Sequence, residues 1–365
     1  MSTQKHENEI VLMKGNEAIA HAAIRCGCDG YFGYPITPQS EIMETLMELE
    51  PWNTTGMVVL QAESETASIN MVYGAAGCGK KAMTSSSSPG VSLMQEGISF
   101  LVGAELPCVI VNVMRGGPGL GTIQPSQSDY FQTVKGGGHG DYKLITLAPA
   151  SVQEMADFTV MAFDLAFKYR TPAMILADGI IGQMMEKVVL PPFTPRWTEE
   201  EIKAISPWAT LGKTPDRKPN IINSLRMEAD EMEELNHILQ ARYREIEKNE
   251  VIYEEIDCEE ADYILVAFGI SARICQKTVE LAKADGHKIG LLRPITLFPF
   301  PTEKISDLST KIKGFMSVEM NAGQMVEDVR LAVNGRVPVS FYGRMGGIVP
   351  SPSEVYDALK AKFFV

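Results

Sequence analysis

A hydroxyl, a carboxylate and a guanidinium recur in this 365-residue chain at one kind of place, just beyond a short apolar run. Thr37 lies in Tyr34-Pro35-Ile36-Thr37-Pro38, Glu65 closes Glu63-Ser64-Glu65, and Arg115 follows the apolar stretch 108–114. If each run is a strand of an open α/β sheet, all three groups stand at its carboxyl edge, where such sheets bind ligands. There they could grip a heteroaromatic ring and the carboxylate of a small oxo acid.

Glu65 opens a predicted helix whose other residues, among them Ala67, Ser68, Val72, Gly74 and Ala75, are small or apolar. Such a helix packs closely and would confine its first carboxylate away from water. A carboxyl so placed suits thiamine diphosphate chemistry, in which proton sharing with a pyrimidine nitrogen activates the neighbouring amino group as a base. A plainer alternative stays open: Glu63 and Glu65 as first-turn acids complementing a helix N-terminus. Thr37 has two readings as well. A turn stiffened by Pro35 and Pro38 fixes a hydroxyl for substrate, or Thr37 caps a helix starting near Pro38.

Arg115 leaves a buried strand into Gly116-Gly117-Pro118-Gly119-Leu120-Gly121, a position suited to bidentate carboxylate recognition. The glycines do not have dinucleotide-loop spacing, and Thr122-Ile123-Gln124-Pro125 does not start a helix. Close folding of this backbone over a ligand or partner chain is the expectation. Ser85 to Ser88 offer hydroxyls to a cofactor or form a solvated loop, and His139 sits in a glycine-rich loop able to act as a lid.

Charge and cysteine usage narrow the rest. With 33 basic and 46 acidic residues the formal charge is −13. That argues against a nucleic-acid or anionic-membrane surface, so an anionic substrate needs locally placed cations. Six cysteines are scattered, and only Cys26-Gly27-Cys28 is close-spaced, without a second pair to complete a tetrahedral metal site. Buried thiols at a helix end fit better. No apolar stretch approaches the roughly 20 residues that span a bilayer, and residues 1–10 lack a signal-peptide core. The cytoplasm is the expected compartment.

The elements that must position these groups alternate. Helices are predicted over 16–26, 38–49, 64–77, 92–103 and 152–168, and strands over 30–34, 57–60, 81–85, 108–114, 144–147 and 173–177. That order predicts a doubly wound parallel sheet covered on both faces, residues 1–190. A Pro-rich, irregular segment and a long charged helix over 226–250, with Leu235, Ile238, Leu239 and Ile246 as its apolar stripe, occupy 191–258. A second, self-contained parallel α/β unit is predicted over 259–365, with strands at 263–268, 288–292, 314–319 and 337–342.

At these residues the chain resembles the α subunit of the 2-oxoacid:ferredoxin oxidoreductases. Tyr-Pro-Ile-Thr-Pro at 34–38, Ser64-Glu65 and the strand ending in Arg115 match that family's pyrimidine-side domain in order and spacing, followed by a transketolase-C-terminal-like domain. The branched-chain (2-oxoisovalerate) branch is nearest, through Phe341-Tyr342-Gly343-Arg344-Met345-Gly346-Gly347. The resemblance implies oxidative decarboxylation of a 2-oxo acid to acyl-CoA and CO₂, with electrons passing to ferredoxin. Glu65 would meet the thiamine pyrimidine, and Thr37 and Arg115 the substrate. Pro35, Ile36, Ser87 and Ser88 complete the expected cofactor contacts. A separate β subunit would bind the diphosphate through Mg²⁺, for which no Gly-Asp-Gly motif occurs here. Iron–sulfur and γ subunits would carry the clusters, since the cysteines here lack the four close-spaced thiolates a cluster takes. Two alternatives stand beside this: the β chain of an NAD-linked 2-oxoacid dehydrogenase, and a non-catalytic assembly subunit of the same fold.

Overall fold

The computed structural model describes residues 9–213, 215 and 218–364, so the polar start over residues 1–8 lies outside the described residues. Fourteen strands are described: β1 (Ile10–Lys14), β2 (Gly30–Gly33), β3 (Val58–Gln61), β4 (Ala82–Ser86), β5 (Val109–Met114), β6 (Ile145–Leu147), β7 (Ala173–Asp178), β8 (Met185–Val189), β9 (Tyr253–Ile256), β10 (Tyr263–Val266), β11 (Ile289–Pro294), β12 (Thr296–Phe298), β13 (Gly314–Glu319) and β14 (Val339–Gly343). They form a seven-stranded sheet ordered β12-β6-β7-β5-β4-β2-β3, a five-stranded sheet ordered β14-β13-β10-β11-β9, and an antiparallel pair β1-β8. In the large sheet β4, β5 and β7 are buried along their whole length. That burial on both faces explains why 108–114 reads as a continuous apolar run rather than an alternating one.

The topology marks where a ligand belongs. After β2 the chain adds β3 on one side and then β4 on the other, parallel throughout. The carboxyl ends of β2 and β4 therefore flank a topological switch point, the crevice in which open α/β sheets bind ligands. Two helices cover it. Glu65–Gly77 starts behind Ser64, whose Oγ accepts the Ala67 N–H at 3.2 Å. Ser88–Gly103 starts directly after β4, and the two helices cross where Gly97 leaves room for Ile69, whose Cγ2 lies 2.4 Å from the place a Cβ would occupy.

The second unit departs from the expected all-parallel, self-contained sheet. β9 is antiparallel to β11 at one edge, and β12 leaves the unit to pair antiparallel with β6 of the large sheet. The reason is hydrophobic: Leu297 and Phe298 are buried in the larger core, against the long helix Ala229–Asn249. That helix buries Leu235, Leu239, Tyr243 and Ile246, whereas Ile238 faces out; Tyr243 meets Phe298 edge-on. The Pro-rich stretch also holds a short helix, Glu199–Ile205, closed by a Thr198/Glu201 capping box.

A second set of bonds locks the units together. Gln127, fully buried, donates from Nε2 to the Phe268 carbonyl (2.8 Å) and accepts the Ser271 hydroxyl (2.8 Å) and the Met320 N–H (3.1 Å). Asp178, at the end of β7, accepts the N–H groups of Ile181 (3.1 Å) and Ile270 (2.8 Å), one from each unit. Burial pushes its carboxyl up to about 6. The carboxyl edges of both sheets thus meet along the segment between β5 and the helix Tyr130–Val134.

Candidate active site

Thr37 sits in an exposed turn between β2 and the helix Ser40–Leu49. It does not cap that helix: Gln39 holds the N-cap position, and Pro38 lies outside the helix. The turn is held instead from below. The Pro38 carbonyl accepts from Asn16 Nδ2 (2.7 Å) and Gln183 Nε2 (3.0 Å), and Gln39 Nε2 donates to the Tyr34 carbonyl (3.1 Å). Pro35 is exposed and Ile36 half-buried in the same turn.

Arg115 is buried, and its guanidinium is largely committed. Nη1 donates to the Thr37 carbonyl (3.0 Å), Nη2 to the Leu120 carbonyl (2.9 Å), and Nε has no partner. The side chain therefore braces the turn after β2 against the glycine-rich loop, with Nε enclosed and unpaired. The loop folds over itself. Thr122 N–H donates to the Gly116 carbonyl (2.8 Å), Arg115 bridges to Pro125, and Gly121, at φ +65°, has only 1.9 Å between its would-be Cβ and the Gly116 oxygen. The loop also packs on the segment after β14, where Gly347 (φ +96°) faces Gln124.

The serine run is not a solvated loop. Ser85, Ser86 and Ser87 are fully buried and Ser88 nearly so. Ser85 is spent on Tyr31 (2.7 Å) and Gln39. Ser88 Oγ donates to Asp129 (2.6 Å) and accepts the Arg115 N–H (3.0 Å), so its hydroxyl is saturated within the protein. Ser86 Oγ and Ser87 Oγ have no hydrogen-bond partner.

Glu65 lies near one of these two, Ser86. It is 6% exposed, and its carboxylate receives no hydrogen bond from any described residue. Ser64, not Glu65, does the capping, and Glu63 is exposed. At Gly90 a Cβ would lie 2.1 Å from Ser86 Oγ and 2.7 Å from Glu65 Oε1, which fixes both polar atoms against one face of the helix Ser88–Gly103. Buried hydroxyls without partners, such as those of Ser86 and Ser87, cost free energy unless something else completes them.

Beside this spot opens a cleft of about 480 Å³ lined by Ser88, Arg115, Gly117, Asp129, Asn321 and Gln324, among others. Burial pushes the Asp129 carboxyl up, partly offset by hydrogen bonds from Ser88 and Asn112 (2.9 Å). Asp129 and Gly90 escape a reading of sequence because nothing in residue type or spacing separates them from ordinary loop and helix-start residues. His139 lies elsewhere: its carbonyl accepts from Ser99 (2.7 Å) and its ring meets Phe100. At 1.5 Å per residue, Ser99 is roughly 10 Å along the helix from Ser92, which lines the cleft. Cys26 and Cys28 are buried at the end of the helix Gly15–Arg25, their thiols on backbone carbonyls and pushed up by burial.

Comparison with known proteins supplies the family. Residues 21–253 match the family model described as pyruvate flavodoxin/ferredoxin oxidoreductase, thiamine diphosphate-binding, and residues 261–355 match pyruvate:ferredoxin oxidoreductase core domain II. The chain is 53% identical to ketoisovalerate oxidoreductase subunit VorB of Methanothermobacter marburgensis, over 92% of this chain and 93% of that one. It is 38% identical to 2-oxoglutarate synthase subunit KorA of Archaeoglobus fulgidus, over 92% of this chain and 96% of the other. Among solved structures, the 2-oxoglutarate:ferredoxin oxidoreductase from Magnetococcus marinus with 2-oxoglutarate, coenzyme A and succinyl-CoA bound superposes with a TM-score of 0.84 at 27% identity, covering 99% of this chain and 66% of that chain. These matches do not favour the NAD-linked alternative. Among the described residues no helix is long and apolar enough to cross a membrane. The family matches over residues 21–253 and 261–355, with 53% identity over 92% of the chain to a ketoisovalerate oxidoreductase subunit, show that the chain is a subunit belonging to the 2-oxoacid:ferredoxin oxidoreductases.

Proposed function

We propose that this chain is the pyrimidine-side half of an active site for oxidative decarboxylation of a branched-chain 2-oxo acid to acyl-CoA, with electrons delivered to ferredoxin. The observation that carries this reading is Glu65, buried and without a hydrogen-bond partner among the described residues, near the orphan hydroxyl of Ser86. These residues fit a ring nitrogen and its amino group: one acid, one hydroxyl, and a glycine whose missing side chain leaves the acid its place. When bound, thiamine diphosphate supplies a carbon nucleophile and an electron sink for decarboxylation. Glu65 holds or shares a proton with the pyrimidine edge. Pro35 and Ile36 shape the wall beside it, and Ser87 offers a hydrogen bond. Ser88 serves indirectly, by fixing Arg115.

Arg115 acts twice in this account. It draws the Thr37 turn towards the glycine-rich loop, and its unpaired Nε meets the substrate carboxylate while the Thr37 hydroxyl orients it. Residues 1–190 are assigned to the pyrimidine-side domain, 191–258 to the linker, whose β9 joins the edge of the second sheet, and 259–365 to the transketolase-C-terminal-like domain, with β12 lent back to the large sheet. A β subunit completes the site with Mg²⁺ and the diphosphate, and iron–sulfur and γ subunits carry the electrons onwards. Preference for a branched chain is supported by the higher identity to the ketoisovalerate subunit than to the 2-oxoglutarate one.

The test is viologen or ferredoxin reduction by the purified complex with coenzyme A and 3-methyl-2-oxobutanoate, 2-oxoglutarate or pyruvate as substrate. The expected outcome is the highest kcat/KM for the branched acid and no NAD reduction. NAD reduction without viologen reduction by an intact complex would refute the reading.

A further inference from the structure

The four serines after β4 divide by what their hydroxyls do. Ser85 is tied to Tyr31 and Gln39, and Ser88 to Asp129 and Arg115, which leaves Ser86 and Ser87 without partners although both are fully buried. Only Ser86 also lies against the position that Glu65 occupies. The space a Cβ would take at Gly90 is filled from one side by Ser86 Oγ, at 2.1 Å, and from the other by Glu65 Oε1, at 2.7 Å, and Cγ, at 2.9 Å. Any side chain at 90 would displace one or both.

We propose that Ser86 and Gly90 are positioning residues for Glu65: Gly90 provides the floor on which the carboxylate rests, and the Ser86 hydroxyl turns to donate to one of its oxygens when the ring is bound. This rests on the proposed role of Glu65 and deepens it. A donor on one carboxylate oxygen fixes the rotamer and leaves the other oxygen aimed at the ligand, the usual task of a supporting shell. The structure gives a reason to expect a function here rather than packing. A buried hydroxyl with no partner destabilises a fold, and such groups persist where a ligand completes them.

The experiment uses the assembled complex, stripped of and then reloaded with thiamine diphosphate, as wild type and as Ser86→Ala, Gly90→Ala, Glu65→Gln and the double variant Ser86→Ala/Glu65→Gln. Three quantities are read: the melting temperature without cofactor, cofactor affinity by calorimetry, and exchange of the cofactor's C2 proton into D₂O. Ser86→Ala should melt no lower than wild type, because its hydroxyl holds nothing in the unliganded fold. Its C2 exchange should slow by about tenfold or more, as expected for loss of a hydrogen bond to a charged group. In the Glu65→Gln background the same change should have less than about a twofold effect, since both residues act through one carboxylate. Gly90→Ala should slow exchange further than Ser86→Ala. Wild-type exchange in Ser86→Ala or Gly90→Ala, equal slowing in both backgrounds, or a lower melting temperature for unliganded Ser86→Ala would each overturn the proposal while sparing the underlying reading. Wild-type exchange in Glu65→Gln would overturn that reading itself.

Discussion

Two buried glutamates stand near the carboxyl edges of the two sheets, each near the start of a helix, and their surroundings are opposite. Glu319 ends β13, is fully buried, and accepts the N–H groups of Gln324 (3.1 Å), Met325 (2.8 Å) and Val326 (2.9 Å) as well as the Ser317 hydroxyl (2.8 Å). It caps the helix Met325–Val333 and has nothing left to offer. Glu65 is buried almost as completely and accepts nothing from the described residues. Removing a carboxylate from water costs several kcal/mol unless hydrogen bonds replace those lost, on the order of the penalties known for buried ions. One sheet edge has made that replacement internally; at the other, the Glu65 carboxylate has no hydrogen-bond partner among the described residues. Residue type and burial do not distinguish these two acids, whereas hydrogen-bond satisfaction does.

That contrast can be broken by exchanging the two outcomes. Glu65→Ala in the assembled complex should lower turnover by about three to four orders of magnitude, the scale of a lost acid–base group, with no fall in melting temperature. A variant that turned over normally would remove Glu65 from the site. Glu319→Gln should do the reverse, costing about 3 kcal/mol in denaturant unfolding through broken buried hydrogen bonds, with kcat per folded complex unchanged. A dead but fully stable Glu319→Gln would show that the satisfied acid is also functional, and the distinction would fail.

Arg115→Lys sharpens the comparison at the shared rim of the cleft. A lysine has no planar fork with which to hold the Thr37 and Leu120 carbonyls and a carboxylate together. Steady-state kinetics should show kcat/KM down by about 10–100-fold, the worth of one or two hydrogen bonds to a charged group. An unchanged kcat/KM would reduce Arg115 to packing.

The smallest effect is expected at Asp178, which joins the two units. Its carboxyl is raised from an ordinary 3.8 to about 6, so the folded chain binds a proton there more tightly than the unfolded chain does. The sign follows: this group adds stability as pH falls from 6 towards 4, and that gain is lost as pH rises through 6. Denaturant midpoints for wild type and Asp178→Asn between pH 4.5 and 7.5 should differ in slope accordingly, with wild type gaining relative to the variant on acidification. Parallel curves would mean that Asp178 does not titrate in this window.

Much of this was legible in the chain before any coordinates. Buried strands such as Val109–Met114 announce themselves by unbroken apolar runs, and Glu65–Gly77 by its small residues, because both signals are local. What escaped was non-local. β12 is only Thr296–Phe298, and its pairing with β6 depends on a core some 150 positions away. The burial of Ser85 to Ser88 follows from a helix that starts four residues earlier than its apolar pattern suggests, at Ser88 rather than residue 92. Arg115 was readable as a rim cation, but that two main-chain carbonyls already occupy it depends on loop geometry that residue type does not encode. Hydrogen-bond satisfaction, the property that separates Glu65 from Glu319, is likewise invisible until the fold is built.

The most direct test is the structure of the assembled complex with thiamine diphosphate bound, read at one distance. This account predicts a Glu65 carboxylate oxygen within about 2.6–3.2 Å of the pyrimidine N1′, with the diphosphate held by another chain. A cofactor bound elsewhere, with the Glu65 side chain still partnerless or turned to solvent, would contradict it.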